Sequence, residues 1–448
     1  MKKKLFATVL ACTLCVTTLL AGCGSQETPS SAENTQSAAG DSQAAETTPA
    51  DNTSTEAASG EKKYEGVELT YWSMWNSAEP QGQALMAAAE AFEAETGAVV
   101  NFEWRGREIK NILASSLEAQ EKIDLFEDDY SRITSNYVDY VADLTQMAEA
   151  AGYADLSYQI FRDRTTEWAG FLACVAEQPS VGGVFYNQDL FDQAGITTAP
   201  ATWEEFLTVC QTLVDNGIQP VALDSTYAPF FFGYHLARNI GQDAVKELTV
   251  NGGWSNNAGA VQAAQQMIDF VNAGYLAEGA PDEYPNSQNK MGISRDVAMV
   301  VCANYVTPEV NTVTNGNPVN WGMFAYPSVE GGADPAATFV GFNSIAIPKY
   351  SENQQAAFDF ALYVTTGAQG QNFADLADQI PADPNNTAPV SQTGTIEVLQ
   401  GVTSPLDWNM GLNENGDLQT VIQETVVRLY EGEFATGEDF TAALDALY

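Results

Sequence analysis

A single histidine, His235, stands in a chain of 448 residues. That scarcity removes most zinc sites and most histidine acid/base chemistry, which need imidazoles in twos and threes or beside a serine or cysteine. Cations are scarce as well: 18 Lys and Arg face 59 Asp and Glu, for a net charge of -41. Such a field repels a polyanion, so DNA and RNA are excluded as partners. Of six cysteines, Cys12 and Cys15 lie in an amino-terminal apolar run and Cys23 closes it. Cys174, Cys210 and Cys302 remain, with no even-numbered framework and no Cys-x-x-Cys pair, and they read as small buried apolar side chains. There is no repeat of fixed period and no second membrane-length run. What is present is a hydrophobic share of 45%, enough to build the cores of two to three domains.

The amino terminus combines Lys2, Lys3 and Lys4, an apolar stretch from Leu5 to Leu20, and Leu20-Ala21-Gly22-Cys23. A basic flank, a short apolar core and a small-residue end describe a secretory signal over residues 1–22. The last four residues resemble a bacterial lipobox, in which the cysteine thiol takes the lipid; the resemblance implies lipidation at Cys23. Residues 24–63 contain no Val, Ile, Leu, Met, Phe, Trp or Tyr. With nothing to bury, residues 23–63 are expected to stay disordered as a lipid-anchored tether.

From Tyr64 onward, extended and helical patterns alternate. Val67, Leu69 and Tyr71 share one side of a strand, and Pro80 to Thr96 carries Leu85, Ala89 and Phe92 at helical spacing before Gly97. The pattern repeats with extended segments at 99–102 and 123–126 and helices at 109–119 and 133–144. This predicts an open, mostly parallel α/β sheet. Later strands are expected near 182–187, 220–223, 297–301 and 339–347. Thr202-Trp203-Glu204-Glu205 has the form of a capping box opening a helix.

In an open α/β sheet, ligands gather beyond the carboxyl ends of the strands. There lie Trp75, Asn76 and Ser77, then Arg105, then Asp128 and Asp129. Aromatic faces ringed by amides, hydroxyls, a guanidinium and carboxylates suit a polyhydroxylated ring. Each residue also has a packing reading: Trp72 as core, Asp128 and Asp129 as solvated loop charges, Arg105 as a partner of a neighbouring carboxylate. Gly182-Gly183, Gly252-Gly253 and Gly331-Gly332 fit neither a Walker A nor a dinucleotide pattern and read as turns. Asn413 to Asp417 lacks the spacing and terminal glutamate of a calcium loop. His235, among Phe230, Phe231, Phe232 and Tyr234, reads as a buried, hydrogen-bonded side chain.

Collinear stretches then carry a resemblance. They include Leu69-Thr70-Tyr71-Trp72-Ser73, Ala91 to Gly97, Ile123-Asp124-Leu125-Phe126, Val184 to Phe191, Ala201 to Phe206, Tyr326-Pro327-Ser328, Val340 to Ile347 and Gln379-Ile380-Pro381-Ala382. Over residues 64–448 the chain resembles the extracellular solute-binding proteins of sugar ABC importers, the group that includes maltose-binding protein. The resemblance implies a two-lobed periplasmic-binding-protein-like α/β fold of type II with a cleft between lobes. It places 64–180 plus about 339–380 in lobe 1, and 181–338 plus about 381–448 in lobe 2.

The same resemblance implies a carbohydrate ligand of oligosaccharide size, contacted by Trp75, Asn76, Ser77, Asp128, Asp129, Gln178, Ser180, Phe230, Trp254, Asn304, Tyr305, Phe342 and Asn343, with Arg105 added from its strand end. It implies no catalysis, no cofactor and no metal. The chain is expected to act as a monomer at the cell surface, lipid-anchored to the outer face of the cytoplasmic membrane, delivering its ligand to ABC permease transmembrane subunits. Two other readings remain open: a binding protein for a cationic small solute such as a polyamine, and a surface glycoside hydrolase.

Overall fold

The computed structural model describes residues 62–448. The signal at 1–22, the lipidation site Cys23 and nearly all of the tether lie outside the described residues. Lys62 and Lys63, expected at the tether's end, instead contact the body. Lys62 Nζ donates to the Glu93 carbonyl at 3.2 Å and Lys63 Nζ to Asp359 at 2.6 Å.

The strands are β1 (Glu68–Ser73), β2 (Val99–Trp104), β3 (Leu125–Asp129), β4 (Val175–Asn187), β5 (Gln219–Ala222), β6 (Val297–Ala303), β7 (Trp321–Phe324), β8 (Thr338–Ala346) and the short β9 (Pro405–Leu406). Their order is β2-β1-β3-β8-β4-β6-β5, with β7 also on β4 and β9 on β8. β4 belongs to both halves of the molecule. Its residues Val175 to Val181 pair with β8, and Gly182 to Tyr186 pair with β6. Each half of the sheet carries its own helices, so the fold is α/β with two lobes sharing one long strand.

The sheet is mixed where a mostly parallel one was expected. β1 pairs in parallel with β2 and β3, and β5 with β6, but every pairing of β4 with β6, β7 and β8, and that of β3 with β8, is antiparallel. β8 enters the first lobe from the second and so runs against β3. Gly182 and Gly183, read as a turn, lie inside β4. A Cβ on Gly182 would sit 2.9 Å from the Phe339 Cβ, and one on Gly183 only 2.5 Å from the Met323 Cε. They are close-approach glycines where the strand passes between lobes.

Three apolar clusters hold the body. On the first lobe's sheet, Leu69, Tyr71, Leu125 and Ile345 pack to one side, and Trp72, Phe126 and Ala346 to the other, as the period-2 alternation of strands requires. Ala382 and Leu399, which follow β8 in the chain, also enter the second of these clusters. The second lobe's cluster gathers Phe185, Phe206, Phe230, Phe231, Val300 and Trp254. Each fully buried aromatic or aliphatic side chain of this kind contributes roughly 1.5–3 kcal/mol.

Local signals behave as their chemistry directs. Helix Pro80–Thr96 starts with proline in its first turn and stops at Gly97, whose φ of 85° lets its N–H reach the Glu93 carbonyl. Helix Trp203–Asp215 opens with the full capping box between Thr202 and Glu205. The helix expected at 133–144 instead runs Tyr130–Asn136, because the Asp129 side chain accepts the Ser131 N–H at 2.9 Å and sets an earlier start. Val141 then forms an antiparallel bridge with Pro348. The three cysteines of the body are free and buried. No described helix is long and apolar enough to cross a membrane.

Candidate functional site

Both lobes wall a cavity of about 620 Å³, inside the range of small-ligand sites. The loop after β1 supplies Trp75 and Glu79, and β4 supplies Gln178 and Ser180 just before it leaves the first lobe. β8 supplies Gly341, Phe342 and Asn343, while Asp129 comes from the end of β3. Across the gap stand Tyr305, Glu309 and Tyr284 of the second lobe, with Trp408 and Gln379 from segments at the junction.

Trp75 is 4% exposed and held by two neighbours. Its indole N–H points to Glu177 Oε2 at 3.4 Å, and the Arg107 guanidinium lies 4.3 Å from its ring centroid. Arg107 itself donates to the Met74 carbonyl at 2.6 Å and pairs with Glu79 at 2.8 Å. Beneath the indole sit two fully buried carboxyls. Glu127 accepts from Tyr71 Oη, Ser73 Oγ and the Met74 N–H at 2.7, 2.8 and 2.8 Å. Glu177 has only the long indole contact, and its Oε1 is otherwise unpartnered. Burial and the neighbouring Glu127 carboxylate push Glu177 well above the usual glutamate range. Glu127 is raised as well by its burial, but three donors offset part of that, so Glu177 is the carboxyl of the pair that more readily keeps its proton.

Asn304 is a clasp between segments. Its Oδ1 accepts the Val181 N–H at 2.8 Å, and its Nδ2 donates to Gln379 Oε1 at 2.6 Å. That sequence of bonds fixes the orientation of Gln379, leaving its Nε2 buried in the cavity wall without a partner among the described residues. A buried amide donor of this kind calls for an acceptor.

Trp408 is presented by a strap in which Asn409, Met410 and Gly411 all have positive φ. The strap docks on helix Ala228–Ile240 at Gly233, where a Cβ would meet the Asn409 carbonyl oxygen at 2.6 Å. Behind Trp408 lie Phe230, 4.7 Å away between centroids, and Phe339 at 5.4 Å. Burial raises the pKa of Asp129 and of Glu309 above the usual carboxylate values, and holds Tyr305 neutral far into the alkaline range.

The structure brings Trp75, Asp129, Gln178, Ser180, Tyr305, Phe342 and Asn343 to one cavity. The other named residues lie elsewhere. Asn76 bonds Glu79 through its backbone N–H at 2.6 Å and, like Ser77, is exposed on the loop's outer side. Arg105 covers Trp72 with its guanidinium 3.8 Å from the ring and pairs with Glu103. Asp128 is buried inside β3 rather than in a loop and pairs with Arg132. Phe230 backs Trp408 without reaching the cavity, and Asn304 is the buried clasp. Trp254 is fully buried in the second lobe's core, where Asp445 accepts its backbone N–H at 2.7 Å. His235 bonds Gln266 at 2.7 Å and Tyr326 at 3.2 Å, and burial lowers its pKa to about 4.

Trp408, Gln379, Arg107 and Glu79 were not anticipated as site residues. Trp408 carried the same signal that marked Trp75, an indole in a polar loop. Gln379 carried none, because its role depends on the orientation that Asn304 imposes. Among the described residues no group of three or more His, Cys, Asp or Glu is arranged to hold a metal ion.

The sequence pattern of the bacterial extracellular solute-binding protein family matches residues 76–371. The "Probable ABC transporter-binding protein" of Deinococcus radiodurans is 28% identical over 206 residues, covering 42% of this chain and 46% of its own. The "Multiple sugar-binding protein" of Streptococcus mutans is 23% identical over 207 residues, covering 44% and 48%. The chain thus spans about half the length of the curated relatives it matches. A solved structure from work on xylan utilization by Caldanaerobius polysaccharolyticus superimposes with a TM-score of 0.68 at 17% identity, over 85% of this chain and 100% of that one. At that identity the likeness establishes the fold.

Proposed function

The chain belongs to the bacterial extracellular solute-binding protein family, and from that premise we propose that its cleft captures a carbohydrate of oligosaccharide size and releases it unaltered to an ABC permease. The observation that carries this reading is the wall of the cavity. Tyr305 and Trp408 offer ring faces, the largely buried Trp75 adds an edge of the wall, and Gln178, Ser180, Asn343 and Gln379 offer amide and hydroxyl groups between them. Sugar rings present C–H faces to aromatics and hydroxyls to planar polar groups, so both halves of that set are used at once. The names of the Streptococcus and Caldanaerobius relatives point to the same ligand class.

Contacts from both lobes are what make the capture reportable. A ligand touching both walls favours the closed arrangement by its differential contact energy, and a permease reads that arrangement. The Leu-Ala-Gly-Cys end of the leader supports anchoring at Cys23 to the outer face of the membrane. Binding in this reading involves no covalent step: of the carboxyls in the wall, Glu79 is paired with Arg107, Glu309 accepts from Gln288 at 3.1 Å and Asp129 caps a helix. Trp75, Asp129, Gln178, Ser180, Tyr305, Phe342 and Asn343 are the proposed contacts from the sequence, joined by Trp408 and Gln379.

The test is a thermal-shift screen of the purified protein against maltodextrins, xylo-oligosaccharides, chito-oligosaccharides and polyamines. One oligosaccharide series is expected to raise the melting temperature by mass action. A rise with polyamines alone would overturn the reading.

A further inference from the structure

A second chamber of about 410 Å³ adjoins the cavity and shares Asp129, Phe339 and Trp408 with it as a common wall. It too lies between lobes. Arg132 and Asn136 come from helix Tyr130–Asn136, and Trp168 from helix Gln159–Ala169, both on the first lobe. Asn413 and Gln419 face them from the segment after Trp408, which packs on the second lobe's helix Ala228–Ile240.

The chamber repeats the chemistry of the first. Trp168 is 39% exposed, an unusual position for an indole, and it is braced there rather than loose: Tyr130 lies 5.8 Å away between centroids, and the Arg164 guanidinium sits 5.4 Å from its ring. The charges lining the chamber are already engaged. Arg132 is held by Asp128, and Glu414 by Lys246 at 3.2 Å. Arg132 and Glu414 stay 39% and 41% exposed in these pairs, and Asn413 adds an uncharged group beside them. Asn413 Oδ1 accepts from Asn409 at 3.2 Å and from Gln423 at 2.9 Å, so its amide N–H groups are the part left to donate.

Resting on the carbohydrate reading of the first cavity, we propose that the second chamber is a distal subsite, and that the ligand is a linear oligosaccharide long enough to pass Trp408 and place a further ring on Trp168. Trp408 and Phe339, forming the wall between the chambers, then contact the middle of the chain. The cleft selects for length: a short sugar satisfies only the first chamber, and a longer one adds contacts that again bridge both lobes.

The experiment is titration calorimetry of the purified protein with dimer to hexamer members of the maltodextrin, xylo-oligosaccharide and chito-oligosaccharide series. In the series that binds, the hexamer is expected to bind about tenfold or more tighter than the dimer, the scale of one added aromatic stack with its hydrogen bonds. Trp168→Ala removes a partly exposed side chain and should erase most of that difference while leaving dimer affinity unchanged. Ser135→Trp, from another exposed position lining the chamber, should do the same by filling it. Equal affinity for dimer and hexamer, or variants that weaken both alike, overturns the distal subsite and leaves the first cavity's assignment standing. If no member of any series binds, the carbohydrate reading itself fails and the subsite with it.

Discussion

The Gln379 side chain is oriented by Asn304: the Asn304 Nδ2 donates to Gln379 Oε1 at 2.6 Å, which turns the Gln379 Nε2 into a buried, unpartnered donor in the cleft wall. A ligand oxygen that meets this donor gains a bond without displacing an existing one. Gln379→Met, similar in length and without the amide, is expected to weaken ligand binding by about tenfold or more. The unliganded variant should also melt somewhat lower, because the buried Asn304 Nδ2 loses its 2.6 Å acceptor and keeps only the Pro179 carbonyl at 3.3 Å, so affinity and not stability reads the ligand contact. Calorimetry with the bound oligosaccharide checks it; unchanged affinity would remove Gln379 from the site.

The carboxyl pair under Trp75 predicts a pH dependence of stability. Glu177 keeps its proton in the folded protein above the pH at which an ordinary glutamate loses it. The folded state then binds a proton that the unfolded state has released, so stability falls as pH rises beyond the ordinary value of 4.5. Glu177→Gln replaces the buried carboxyl with a neutral amide of the same size and removes that penalty. The variant should melt about 2 °C or more above the parent at pH 8, with the gain gone by about pH 4, where Glu177 is protonated in both states. Melting curves across that range decide it, and a variant less stable at pH 8 would contradict the placement of the proton.

Asp407 ties the lobes together beside the cleft. It pairs with Arg164 of the first lobe at 2.5 Å and with Lys246 of the second at 2.7 Å, and the Arg164 side chain is only 5% exposed. Asp407→Ala leaves a buried guanidinium without its carboxylate and should lower stability by about 3–5 kcal/mol. Adding Arg164→Met should recover much of the loss, since the stranded charge is then gone. Denaturant midpoints of the single and double variants measure this.

Salt separates the two binding readings. An uncharged sugar should bind with less than about a twofold change in affinity between dilute and physiological salt, whereas a polyamine attracted by so acidic a protein would lose affinity steeply. Titrations at two ionic strengths read the difference directly.

How much of this was legible in the sequence follows from how local each feature is. Helix Pro80–Thr96 and the Thr202–Glu205 capping box depend on residues a few positions apart, and both appear where their chemistry places them. The antiparallel entry of β8 beside β3 depends on a return from the other lobe, which no local periodicity records. Among site residues, Trp75 was readable as an indole outside a strand. Asp128 was misplaced because β3 runs to Asp129, turning an expected loop residue into a buried one paired with Arg132. Trp254 had an aromatic's chemistry in the right lobe, but it packs into the core, and Trp408, more than 150 positions further along, stands in the cleft instead.

The most direct measurement is calorimetric titration of the oligosaccharide that stabilises the protein, with the sugar recovered afterwards and its chain length determined. Saturable binding that is lost in Trp408→Ala, with every recovered chain intact, is the predicted result. Shortened chains, or binding that Trp408→Ala leaves untouched, would contradict capture of an unaltered carbohydrate between the lobes.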